Sequence, residues 1–145
     1  IKISLKDNLK EIGHGKWEGK LESEIKSDWP DLLKEWKISP EKVQMPEGEN
    51  IIEVSTRSII GWNEICKDLK NDETALVVAH DAVNKTILCH LLGLMPSKIW
   101  MIKQGNGGIT IIDLGEGENQ PDQITCLNIT SHLGGVIDST AAGAL

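Results

Sequence analysis

The sequence predicts an α/β layer fold, and three features carry that prediction. Residues 75–79, ALVVA, are an uninterrupted apolar run with β-branched side chains, the composition of a parallel strand covered on both faces. Directly after it Val83, Ile87, Leu88 and Leu91 recur at helical spacing, so a helix begins where the run stops at His80. Later, residues 109–114 and 124–129 read as two short strands of a hairpin. Strand, helices, strand, helix and hairpin, in that order, is the succession of a sheet layered with helices.

At the start, Ile1, Ile3 and Leu5 alternate with Lys2, Ser4 and Lys6, which predicts a half-buried edge strand. Residues 9–19, LKEIGHGKWEG, hold three glycines and read as an irregular loop. Trp17, Leu21 and Ile25 then sit four apart on one helical face. Asp28-Trp29-Pro30 restarts a second short helix, with Asp28 as cap, Pro30 in the first turn, and Leu32, Leu33 and Trp36 on the apolar side. Pro40, Pro46 and Gly48 mark residues 38–49 as a loop. Asn50 followed by Glu53 is the capping-box start of a long helix, striped by Ile51, Val54, Ser55, Ser58, Trp62, Ile65, Cys66 and Leu69 and closed by Asn71-Asp72. Asp81 is expected to cap the helix after His80. Beyond it come Gly93, Pro96 and the turn-forming residues 104–108. From Thr130 the sequence is small and weakly patterned, as in a tail or linker at residues 131–145.

A chain of 145 residues with 39% hydrophobic composition is long enough for one domain with a core. It has no Phe or Tyr, so its five Trp, with Ile, Leu and Val, supply the bulk. With 22 acidic against 15 basic side chains the net charge is -7, and Arg57 is the lone arginine, which excludes nucleic acid as an expected partner. Cys66, Cys89 and Cys126 are odd in number and set in apolar context, so they read as reduced, buried thiols of a cytoplasmic-type compartment. No ligand-spaced pair suggests a metal, and no charged-then-apolar leader or membrane-length apolar run is present, so no membrane partner is expected.

The acid-base candidates follow from these elements. His80 stands at the carboxyl end of a predicted strand beside the amino end of a helix, the corner where open α/β sheets bind ligands and exposed helix amides favour anions such as phosphate. The competing reading makes it only a polar residue ending a strand. His90, ten residues into the helix, reads as structural; His132 and His14 read as solvent-facing. Glu11 ends a strand and precedes a loop too rich in glycine to be a spacer. If that loop lies over the His80 corner, an imidazole that binds anionic oxygens meets a carboxyl that protonates a leaving group; otherwise Glu11 is a solvated loop acid.

Leu9-x-Glu11-x-x-x-Gly15-x-Trp17-Glu18-Gly19, then Pro46-x-Gly48-Glu49-Asn50, then a helix carrying Arg57, then Val77-Val78-Ala79-His80, closely resemble the histidine phosphatase superfamily, also called phosphoglycerate mutase-like. VVAHDAVNK and Gln104-x-Asn106-x-Gly108 are most similar to the plant and cyanobacterial branch that includes 2-carboxyarabinitol 1-phosphate phosphatase. The resemblance implies a three-layer α/β/α fold with a mixed, mostly parallel sheet, residues 1–130 being the carboxyl-terminal part of the domain and residues 17–45 a lid. It implies that His80 contacts the transferred phosphoryl group and that Glu11 protonates the leaving group. Glu49 and Asn106 would shape the pocket and Asp81 would be the second-choice acid. No metal or cofactor is implied, and the expected ligand is a small phosphorylated metabolite. A dimer or tandem domain, and a phosphoglycerate mutase or non-catalytic module in place of a hydrolase, stay open.

One departure matters most. The family's first strand carries an Arg-His-Gly motif whose histidine takes the phosphoryl group, and no Arg-His-Gly occurs here. Arg57, mid-helix, is expected to pair with Glu53 or Glu64 and not to replace a phosphate-binding arginine. The missing first strands would precede Ile1 and flank residues 75–79, so the chain alone is expected to lack turnover.

Overall fold

The computed structural model describes residues 3–115 and 120–134. The chain divides into two compact units, Ile1–Met101 and Ile102–Leu145. The described residues of the first unit form α1 (Glu22–Asp28), α2 (Pro30–Ile38), α3 (Ile51–Asp68) and α4 (Asp81–Leu91). Short 3-10 turns at Asp7–Leu9, Gly15–Trp17, Pro40–Lys42 and Pro96–Met101 lie between and around them.

The long helix α3 begins as its sequence dictates. Asn50 is extended, and its Oδ1 accepts from the Ile52 and Glu53 amides at 3.0 and 2.9 Å, while Glu53 Oε2 accepts from the Asn50 amide at 2.9 Å. Two of the helix's orphan donors are thereby satisfied. Its buried face runs through Ile51, Val54, Ser55, Ser58 and Gly61, and α4 packs on it with Val83, Thr86 and Ile87 buried. Ser58 Oγ and Thr86 Oγ1 lie 2.8 Å apart between the two helices. Each hydroxyl also reaches a carbonyl of its own helix, Ser58 that of Ser55 at 3.1 Å and Thr86 that of Val83 at 2.8 Å, so neither buried group is left unpaired. Trp36 of α2 is 1% exposed and meets the Trp100 ring edge-on at 5.4 Å, and Trp100 Nε1 donates to the Trp36 carbonyl at 2.9 Å. Tryptophan does supply the missing aromatic bulk.

Several expected local features differ. Residues 75–79 are extended but pair with no strand among the described residues; Leu76 is 86% and Val78 80% exposed. Ile3 and Leu5 are likewise unpaired and 83% and 91% exposed. Propensity prepares such segments, yet a strand exists only when a neighbour completes its ladder. The cap of α2 is Trp29, with Pro30 pinning the first turn, and Asp28 ends α1 and takes Lys20 Nζ at 3.0 Å. Leu21 precedes α1 and is 70% exposed, so the four-residue spacing from Trp17 spans a break and not one helix. Asp81 is the first residue inside α4, and His80 holds the cap position.

In the second unit β1 (Ile109–Asp113) pairs antiparallel with β2 (Gln123–Ile129), as the sequence predicts. Ile109 faces Ile129 and Asp113 faces Gln123, with register irregularities between. Asn128, at φ 52, turns its Oδ1 to accept the Gly105 amide at 2.8 Å. The α/β class stands, and the sheet among the described residues is this two-stranded antiparallel hairpin. The predicted tail enters a short turn at Ser131–Leu133, and residues 135–145 lie outside the described residues. None of the three cysteines forms a disulfide, and only Cys89 is buried; Cys66 and Cys126 are half-buried. Burial pushes the Cys89 thiol up. No helix among the described residues is long and apolar enough to cross a membrane.

Candidate active site

Two loops of the first unit are zipped together by their backbones. Glycine permits it. The Lys16 amide donates to the Pro46 carbonyl at 2.8 Å, and the Glu49 amide to the Gly13 carbonyl at 2.7 Å. A Cβ on Gly48 would stand 2.4 Å from the Gly13 carbonyl oxygen, and one on Gly15, at φ 56, 2.2 Å from the Pro46 oxygen. The chains approach more closely than any side chain allows. Glu47 adds a 2.7 Å ion pair to Lys16.

Between the loops opens a cleft of about 570 Å³ whose lining includes Lys10, Glu11, Gly13, Glu18, Glu47 and Glu49. The two carboxylates singled out from sequence, Glu11 and Glu49, therefore do meet in one cavity. Their surroundings differ. Glu49 accepts from Arg57 Nε and Nη2, both at 2.8 Å, and from the Gly13 amide at 2.8 Å. The Arg57 guanidinium, aided by that amide against partial burial, holds its carboxyl below the ordinary value of 4.5. Glu11 is half-buried, and its Oε1 accepts the Ile12 amide at 2.9 Å. Glu49 is thus committed as an anion, whereas Glu11 faces the cleft without an ion-pair partner among the described contacts.

Arg57 is the residue that sequence reasoning placed wrongly. It pairs with neither Glu53 nor Glu64; beyond Glu49 its Nη atoms reach the carbonyls of Asn8, Lys10 and Glu11 at 3.0, 2.6 and 3.0 Å. A signal was present in Gly61, one turn further along α3. A Cβ there would press on Asn8 and Leu9, so the small residue marks the helix face on which the 8–11 segment lies.

Neither His80 nor Asp81 is among the residues that line this cleft. His80 is exposed, does not line the cleft, and closes the first turn of α4 through its carbonyl, which accepts the Asn84 amide at 2.9 Å. The side chain of Asp81 does not cap: its Oδ2 takes Lys85 Nζ at 2.6 Å, one turn along. Lys85 is 8% exposed and sits over the Trp100 ring at 4.9 Å. Asn106 is exposed on a turn of the second unit. His14 is half-buried, not solvent-facing, and its Nδ1 is buried without a partner. Desolvation lowers the pKa of its ring from the ordinary 6.5, with Glu11 and Glu18 pulling the other way. No cluster of metal-ligating side chains occurs among the described residues.

The fold of this arrangement is that of the histidine phosphatases. A solved phosphoserine phosphatase mutant from Entamoeba histolytica, in complex with phosphoserine, superposes at TM-score 0.72 with 29% identity, covering 92% of this chain and 65% of that one. A sequence model described as "Histidine phosphatase superfamily (branch 1)" matches residues 1–127, and the chain belongs to that family. It is 32% identical over 134 residues to phosphoserine phosphatase 1 of Hydrogenobacter thermophilus, covering 92% of this chain and 62% of that protein. It is 26% identical over 121 residues to 2-carboxy-D-arabinitol-1-phosphatase of Triticum aestivum, covering 83% of this chain and 24% of that protein. The chain thus spans less than two thirds of these curated relatives.

Proposed function

We propose that the chain supplies the proton donor and the second active-site histidine of a phosphomonoesterase acting on a small phosphorylated metabolite through a phosphohistidine. The observation that carries this is the contrast within the cleft: Glu49 is tied down by Arg57 and Gly13, and Glu11 is left to move a proton. As the P–O bond breaks and phosphorus bonds an imidazole nitrogen, Glu11 gives its proton to the departing oxygen. Water then attacks phosphorus, giving a proton to the Glu11 carboxylate, as the P–N bond breaks and the imidazole is released. His80, exposed where the eleven-residue α4 begins, contacts the phosphoryl oxygens with the helix's positive end behind it. Asp81 is ion-paired to Lys85 at 2.6 Å and does not line the cleft.

In this reading the phosphoryl-accepting histidine, with the cations a phosphate dianion requires, comes from polypeptide outside these residues. Three findings support it: the sequence lacks Arg-His-Gly, the chain spans 62% of its Hydrogenobacter relative, and residues 75–79 present unpaired apolar backbone. Residues 17–45, containing α1 and α2, act as the lid. The names of the relatives, phosphoserine and carboxyarabinitol phosphate phosphatases, favour small phosphomonoesters as substrates and hydrolysis over mutase chemistry. The purified 145-residue chain is expected to leave p-nitrophenyl phosphate intact. Turnover by that chain, abolished by His80→Ala, would refute the proposal.

A further inference from the structure

We infer that Arg57 is a positioning residue that keeps Glu11 aimed into the cleft, an inference resting on the reading of Glu11 as proton donor. A guanidinium has five N–H donors in one rigid plane. Here the five contacts are all made inward. Nε and one Nη2 donor hold the two oxygens of Glu49, the other Nη2 donor holds the Glu11 carbonyl, and the Nη1 pair holds the carbonyls of Asn8 and Lys10. The side chain is 14% exposed. No donor remains for a substrate phosphate, so the lone arginine of a phosphate-handling chain is engaged wholly with its own backbone and one carboxylate.

The geometry explains why. The Asp7–Leu9 turn uses the carbonyls of Lys6 and Asp7, which accept the Leu9 and Lys10 amides at 3.0 and 3.3 Å, and the carbonyls that follow, of Asn8, Lys10 and Glu11, are the ones Arg57 takes. Arg57 holds the carbonyl of Glu11 itself, and through Glu49 Oε2 it also reaches the Gly13 amide two residues on. The Glu11 peptide is therefore fixed from both sides by one planar group mounted on α3. Lysine in its place offers a single ammonium that cannot span both oxygens of Glu49 and three carbonyls.

The test is leaving-group dependence in the full-length phosphatase containing this chain, comparing p-nitrophenyl phosphate, whose leaving group needs little protonation, with an alkyl phosphate such as β-glycerophosphate. Glu11→Gln should depress kcat selectively on the alkyl phosphate. Arg57→Lys should do the same, with a loss about 10-fold larger on the alkyl phosphate than on the aryl one and little change in KM. The double variant should be no worse on the alkyl phosphate than Glu11→Gln alone. A merely structural arginine would lower both substrates in proportion, and that result, or additive losses, overturns the inference. If Arg57→Lys does not fold, Glu49→Gln, which keeps the carbonyl contacts but weakens the fork, should show the same selectivity in smaller measure; equal losses there overturn it as well. If Glu11→Gln itself lowers both substrates alike, the proton-donor reading fails first.

Discussion

His14 lies beside the candidate acid, half-buried, with its Nδ1 unpartnered, and desolvation lowers the pKa of its ring against the pull of Glu11 and Glu18. The native state therefore binds a proton less readily than the unfolded chain does. Its contribution to stability is complete above 6.5, the ordinary pKa, and is lost as pH falls from there toward the lower native value. Between pH 7.5 and 5.5 the melting temperature of the wild type should drop further than that of His14→Gln, by thermal unfolding at both pH values; equal drops would place the protonation elsewhere. Glu49 acts in a separate, more acidic window. Its carboxyl is lowered by Arg57, so its contribution is present above 4.5 and is lost only below. Steric limits at this site are equally local. Gly48→Ala would put a methyl 2.4 Å from the Gly13 oxygen and should cost about 1–3 kcal/mol by denaturant unfolding as the two loops are forced apart.

At the scale of elements, α3 shows what a sequence states openly. Its cap, its partner at Glu53 and its buried stripe are set by residues within a few positions of one another, so they can be read without knowing the fold. Asn50 also links the helix to the cleft, donating to Gln44 Oε1 at 2.7 Å while Gln44 Nε2 donates to the Gly48 carbonyl at 2.7 Å. Asn50→Ala removes two cap bonds and should destabilise by about 1 kcal/mol, with Asn50→Ser recovering most of that. Urea midpoints decide it, and an unchanged midpoint for the alanine variant would mean that Glu53 alone holds the helix start. Arg57 was illegible for the opposite reason. Glu53 and Glu64 are its neighbours along the helix, but its actual partners are brought to it by the folding-back of residues 8–13 and 46–49, which no local spacing encodes. The same holds for Glu11 and Glu49: both could be picked out as chemically interesting, but not which of them the arginine would immobilise.

For the molecule as a whole, the legible part was class and order, and the missing part was pairing. Residues 75–79 have the composition of a buried strand, but Leu76 and Val78 stand 86% and 80% exposed because backbone partners come from distant chain, not from propensity. Such an unpaired apolar segment is a template for other strands. If it is completed by polypeptide outside these residues, the same substitution must act in opposite directions in two settings. In the isolated chain, Leu76→Lys with Val78→Lys places charge on an exposed edge and should reduce self-association, seen as a shift toward monomer in sedimentation velocity. In the full-length protein those positions would be interior to the sheet, and two unpaired lysine charges there should be strongly destabilising, enough to lower the yield of folded protein. Tolerance of both lysines in the full-length protein would show that this segment stays at the surface and that the sheet is completed in some other way.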